Sequence, residues 1–168
     1  MNLIKCIDKK DYDDLTKIYK VNSTRAIIFK EGKLVMIKDL KTGVYIFPGG
    51  NIFNYESNID ALKRSVKEEA GLLINEITIK EFGLVKELRK SKTEKDMIFE
   101  TNTYYYIAHI FNVLMSTNIN EDEKEIAYVS VGEALANNRL KFNSFKDIFW
   151  IEREITVLEE LQKNTSYK

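Results

Sequence analysis

The chain has 168 residues, 44% of them hydrophobic and 31% charged, which suits a single domain over residues 1–168 with a buried core. Lys+Arg and Asp+Glu are equal at 26 each, so no global field draws in a nucleic-acid polymer or an acidic membrane; affinity for phosphate has to come from a local site. The single cysteine, Cys6, excludes an intrachain disulfide and the single histidine, His109, argues against a His-rich metal centre.

No apolar run reaches the ~20 residues that span a bilayer. The stretch from Met1 to Asp8 lacks the apolar segment of a secretory signal, so the cytoplasm is the expected location. Residues 1–20 are polar and mixed, and read as an edge strand followed by a short helix from Asp11 to Tyr19. Thr24–Phe29 and Lys33–Lys38 read as strands around a turn at Glu31-Gly32. Val44–Phe47 is a third strand, stopped by Pro48-Gly49-Gly50. Proline cannot donate to a ladder and glycine permits unusual backbone angles, so a tight, shaped loop is expected there.

A helix follows, with Ser57 as N-cap and Gly71 as its stop. Ile77–Lys86 and Thr101–Phe111 are rich in β-branched and aromatic residues and read as strands. The charged stretch from Lys86 to Lys95 between them reads as a hairpin loop. Its cations, Lys86, Arg89, Lys90, Lys92 and Lys95, either face solvent or meet phosphates. Ile126–Ser130 reads as a strand, Val131–Asn138 as a short helix and Asp147–Gln162 as a long amphipathic one. This order predicts an α/β fold, a mixed sheet sandwiched between helices.

The chemistry concentrates in the central helix. At about 100° per residue, Ile59, Leu62, Val66, Ala70 and Leu73 form one apolar stripe, and Glu69 falls at its edge. A carboxylate at the border of a buried face needs a cation or hydrogen bonds to offset its desolvation. Glu68 lies next to it, with Arg64 at i,i+4 to Glu68. Two adjacent acids facing a glycine loop offer several oxygen ligands to a hard cation such as Mg²⁺ or Mn²⁺.

Gly50, five residues, Glu56, seven residues, and then Arg64-Ser65-Val66-Lys67-Glu68-Glu69-Ala70-Gly71-Leu72 resembles the Nudix box, G-x5-E-x7-R-E-U-x-E-E-x-G-U with U a bulky apolar residue. Eight of the nine specified positions match. Arg25-Ala-Ile-Ile, the Tyr104–Tyr106 strand, Tyr128–Leu135 and the closing helix also look like parts of bacterial Nudix proteins. The resemblance implies the Nudix α/β/α sandwich and a divalent-metal-dependent hydrolase (Mg²⁺ or Mn²⁺) that splits a diphosphate linkage in a small nucleoside diphosphate derivative.

It also implies roles. Glu68 and Glu69 would bind the metal and, with Arg64, form the catalytic set; Gly50 would add a backbone carbonyl. Glu121 or Glu123, in the acidic run Glu121–Glu125, would supply one more acid. Glu56 and Ser65 would stand behind the ligands and fix their geometry, and Arg25 and Phe47 would contact substrate. Relatives commonly form homodimers, and that option stays open here. The departure is Ser65, where the family has Glu, in some relatives the general base. A serine needs an activating partner to act as a base near neutral pH. The sequence is therefore compatible with an active hydrolase and with a catalytically impaired, nucleotide-binding or regulatory Nudix protein.

Overall fold

A computed structural model describes residues 1–12, 17–94, 96–113, 123–145 and 148–164. In chain order its elements are β1 (Leu3–Asp8), β2 (Lys17–Ile27), β3 (Phe29–Lys30), β4 (Lys33–Asp39), β5 (Tyr45–Ile46) and β6 (Gly49–Asn51). Helix α1 (Asn58–Ala70), β7 (Leu72–Ile74), a 3₁₀ turn (Glu76–Thr78), β8 (Lys80–Lys90), β9 (Met97–Ile107) and β10 (Ile110–Val113) follow. The chain then forms β11 (Lys124–Val129), α2 (Val131–Ser144) and α3 (Trp150–Lys163).

The larger sheet has the order β1-β8-β9-β2-β6 and is mixed. β2 runs parallel to β9 over eleven residues, whereas β8 and β9 form a long antiparallel hairpin. A second sheet has the order β11-β4-β3, with β5 added on β4; β7 and β10 make a separate two-stranded ribbon. Because side chains alternate across a strand, β2 and β9 feed two separate cores. Ala26, Tyr106 and Ala108 pack with Leu62, Val66 and Ala70 of α1. On the opposite face, Ile27 and Tyr105 pack with Leu135 of α2 and Ile151, Val157 and Leu158 of α3. Helices thus cover both faces of the sheet, giving the α/β/α sandwich.

Local chemistry shapes α1 as expected. The Ser57 hydroxyl accepts from the Asp60 N–H at 3.1 Å, and Gly71 closes the helix in the left-handed conformation at φ 62°.

Several expectations shift. Residues 17–19 belong to β2 and not to a helix, and residues 13–16 lie outside the described set. The first half of the expected loop from Lys86 to Lys95 is strand, since β8 continues to Lys90 with Glu87 buried and Arg89 partly buried. The strand expected from Ile77 begins only at Lys80, after the 3₁₀ turn. The Thr101–Phe111 strand is instead β9 from Met97 to Ile107, followed by β10. α2 extends past Asn138 to Ser144, and α3 is described from Trp150. His109, which falls within the stretch read as a strand from Thr101 to Phe111, is exposed between β9 and β10.

Candidate active site

Three segments converge where α1 ends beside the Pro48-Gly49-Gly50 loop. Gly49 sits at φ 151°, and a Cβ on it would run into the Thr24 carbonyl oxygen of β2. Only glycine lets the loop lie that close to the strand. The backbone N–H of Gly49, so directed, donates to Glu69 Oε2 at 3.0 Å. The other oxygen of Glu69 accepts from Lys124 Nζ at 3.0 Å, and Arg25 Nη1 lies 3.7 Å from Oε2. The desolvation of this half-buried carboxylate is therefore offset by one N–H and two cations, as the helical wheel requires.

Arg25 is anchored by Nη1, which donates to the Phe47 carbonyl at 3.1 Å and the Gly49 carbonyl at 2.9 Å. Its buried Nε has no acceptor among the described residues. Arg64 grips Glu56 through two donors, reaches Glu68 with Nη1, and binds the Asn51 carbonyl with Nη2 at 3.0 Å. Glu56 also accepts from the Phe53 N–H at 2.8 Å, so it closes the loop between β6 and α1. Hydrogen bonds from Arg64, reinforced by the Phe53 N–H, hold the Glu56 carboxyl below the usual carboxylate range. Arg64 thus ties the loop, Glu56 and Glu68 into one unit. Glu68 itself is exposed.

Ser65 is buried, and its hydroxyl donates to the Ala61 carbonyl at 2.6 Å. A Cβ on Gly50 would come within 3.0 Å of the Ser65 Cβ, so helix and loop touch at this pair. The hydroxyl thus turns into its own helix.

Of the two remaining acids of the expected set, the structure places one, Glu123, and it stands apart from this cluster. Glu123 is exposed and pairs with Lys41 at 3.3 Å; Glu121 lies outside the described residues. No group of three or more His, Cys, Asp or Glu side chains gathers among the described residues. The ring of Phe47 is fully buried, edge-on to Tyr105 with centroids 5.7 Å apart, and its backbone carbonyl accepts from Arg25.

A cavity of about 570 Å³ opens beside these residues, within the usual size range for small-molecule sites. Its polar lining includes Ser23, Arg25, Asn51, Lys124 and Arg153; its flat lining is Tyr19, Phe99, Phe149 and Trp150. Tyr19 and Phe99 are stacked at 5.7 Å, and Tyr19 lies six residue steps along β2 from Arg25, roughly 20 Å. The cavity can therefore hold a charged group near Glu69 and a planar one further along the same strand. Arg89 lies over the rings of both Phe99 and Phe149, and Lys86 pairs with Glu100 at 3.1 Å. These two cations brace the structure.

Behind the cavity, Arg153 bridges Glu87 at 3.1 Å and Glu154 at 3.0 Å, all three buried. Glu154 also accepts from the Phe47 N–H at 3.0 Å, which fastens α3 to the strand that leads into the glycine loop. Burial pushes the Glu87 carboxyl up, partly opposed by Arg153.

Sequence reasoning missed Lys124, Asn51, Arg153, Phe99 and the Phe149-Trp150 pair. Lys124 sits in an acidic run that looks merely solvated, and the aromatic pair opens a helix from the far end of the chain. No spacing within the sequence joins them.

Comparison with known proteins agrees with this fold. The NUDIX domain family model matches residues 20–150, and the chain belongs to the Nudix family. A MutT NUDIX hydrolase from Burkholderia pseudomallei superposes with a TM-score of 0.54 at 19% identity, covering 68% of this chain and 85% of the other. A NUDIX hydrolase from Nitrosomonas europaea gives a TM-score of 0.56 at 16% identity, over 72% and 79% of the two chains. A mutator MutT protein from Bacillus halodurans gives 0.50 at 16% identity, over 69% and 72%. No curated protein matches the sequence. No described helix is long and apolar enough to cross a membrane.

Proposed function

We propose that this chain is a Mg²⁺- or Mn²⁺-dependent hydrolase that cleaves a diphosphate linkage in a nucleoside diphosphate derivative. The observation that carries the reading is the placement of Glu69. Its carboxylate is fixed by the Gly49 N–H, already concentrates two cations, and stands beside a cavity with both polar and flat aromatic walls.

The donor set fits a hard divalent ion: the carboxylates of Glu68 and Glu69 with the Gly50 carbonyl, and water or an acid of the 121–125 run completing the shell. A bound ion would supply a water of lowered pKa and neutralise charge on the departing oxygen. The chain's own residues do the rest. Arg64 holds Glu68 and the Glu56 loop in place, the role that outer partners play around a metal ligand. Arg25, immobilised on two carbonyls and lining the cavity, presents a fixed positive charge to a phosphate. Tyr19 and Trp150, which line the cavity, offer aromatic surface for a planar base.

A second reading, a nucleotide-binding or regulatory protein with impaired turnover, is favoured by Ser65, whose proton is committed to the Ala61 carbonyl. A phosphate-release screen over nucleoside diphosphate derivatives separates the two. Turnover that requires Mg²⁺ or Mn²⁺ and disappears with a chelator supports the hydrolase. Intact metal binding with no turnover across the panel supports the second reading.

A further inference from the structure

The geometry points to Lys124 as a residue that binds substrate phosphate oxygens and that Glu69 holds in reserve until a divalent ion takes its place. The inference rests on the metal-dependent reading above. Lys124 is the first residue of β11, opposite Asp39 of β4, and from the second sheet its Nζ spans to Glu69 Oε1 at the end of α1. That oxygen is a proposed metal ligand. An ammonium 3.0 Å from it and a divalent ion on it, at ~2.1 Å for Mg²⁺, would repel each other at close range.

Of the two cations beside Glu69, only one can give way. Arg25 is held by two backbone carbonyls, whereas among the described residues the head of Lys124 is fixed by Glu69 alone. Its side chain is 36% exposed and lines the same cavity as Arg25 and Asn51. An ammonium on a flexible stem can leave one oxygen and bind another, and as a point charge it suits phosphate. Its displacement puts a free positive charge where a diphosphate next to the metal carries its negative oxygens. Metal and diphosphate then favour each other's binding, and such coupling is reciprocal.

The test compares the natural protein with Lys124→Gln and Lys124→Arg. Mn²⁺ binding is measured first without phosphate, by water-proton relaxation, and then inorganic pyrophosphate binding at saturating Mn²⁺, by calorimetry. In Lys124→Gln, Mn²⁺ should bind about fivefold more tightly and pyrophosphate about fivefold more weakly, at the low end of typical coupling. Lys124→Arg should keep pyrophosphate affinity near that of the natural protein. A lysine that only fastens β11 to α1 would leave Mn²⁺ affinity unchanged or lower it, and that result overturns the inference. Unchanged pyrophosphate affinity in Lys124→Gln overturns it equally. If the natural protein takes up no Mn²⁺ at all, the metal-dependent reading falls, and this inference with it.

Discussion

Arg64 meets the carboxylate of Glu56 with two donors at once, Nε at 3.0 Å and Nη2 at 2.6 Å, and lies 4.4 Å from the centre of the Phe53 ring. A planar, five-donor head is needed for this fork, and lysine cannot reproduce it. Arg64→Lys should therefore loosen the Asn51–Glu56 loop and Glu68 together. Activity at fixed Mg²⁺ should fall by about tenfold or more, the usual scale for partners that orient metal ligands. Part of the loss should return at high Mg²⁺, which a metal titration of the initial rate will read.

The Glu56 carboxyl, held low by Arg64, also sets a pH dependence. Its folded pKa lies below its ordinary value of 4.5, so its contribution to stability is complete above that value and is lost as pH falls through the folded pKa. Urea midpoints of the natural protein and of Glu56→Gln should differ at pH 7. They should converge on acidification below the ordinary carboxylate range.

At Ser65 the same helix carries a short side chain against Gly50. In Ser65→Glu a carboxylate would enter this buried spot without a cation, costing about 2 kcal/mol or more in metal-free protein. Thermal melts should show a lower midpoint without metal and recovery with Mg²⁺. A rise in turnover of at least about tenfold would mark the natural site as lacking a base; unchanged turnover would place the base on another residue.

Gly49→Ala brings a Cβ against the Thr24 carbonyl at a φ that L residues avoid. The expected loss is about 3 kcal/mol, measured by urea unfolding, with weakened metal binding because the Gly49 N–H leaves Glu69.

Arg153→Met removes the shared partner of two buried carboxylates, Glu87 and Glu154. Stranding buried charge typically costs about 3–5 kcal/mol. The double variant Arg153→Met/Glu87→Gln should recover part of it, as a denaturation cycle will measure.

The helix from Asn58 to Ala70 was readable because its signals are local: a capping serine, a left-handed glycine, and an apolar stripe with Glu69 on the rim. Arg64 could likewise be placed beside Glu68 from its i,i+4 spacing, whereas its grip on Glu56, in the loop before the helix, could not be read that way. The outer half of β2 could not, since Lys17–Lys20 are exposed and show no buried alternation. β8 was cut short for a different reason. Glu87 and Arg89 look like loop residues until their partners, Arg153 on α3 and Phe149 just before it, are in place. Tertiary contacts overrode local polarity in both strands. The cavity wall, drawn from β2, β9, β11 and α3, has no signature shorter than the whole fold.

Trp150 is the only tryptophan in the chain, and it stands in the wall of the cavity. All of the protein's indole emission therefore originates beside the place where a base would stack. A planar ligand that enters there should quench or shift that emission, whereas a bare phosphate near Glu69 should leave it nearly unaltered. The protein thus carries its own optical reporter, able to distinguish occupancy of the aromatic part of the cavity from occupancy of the charged part.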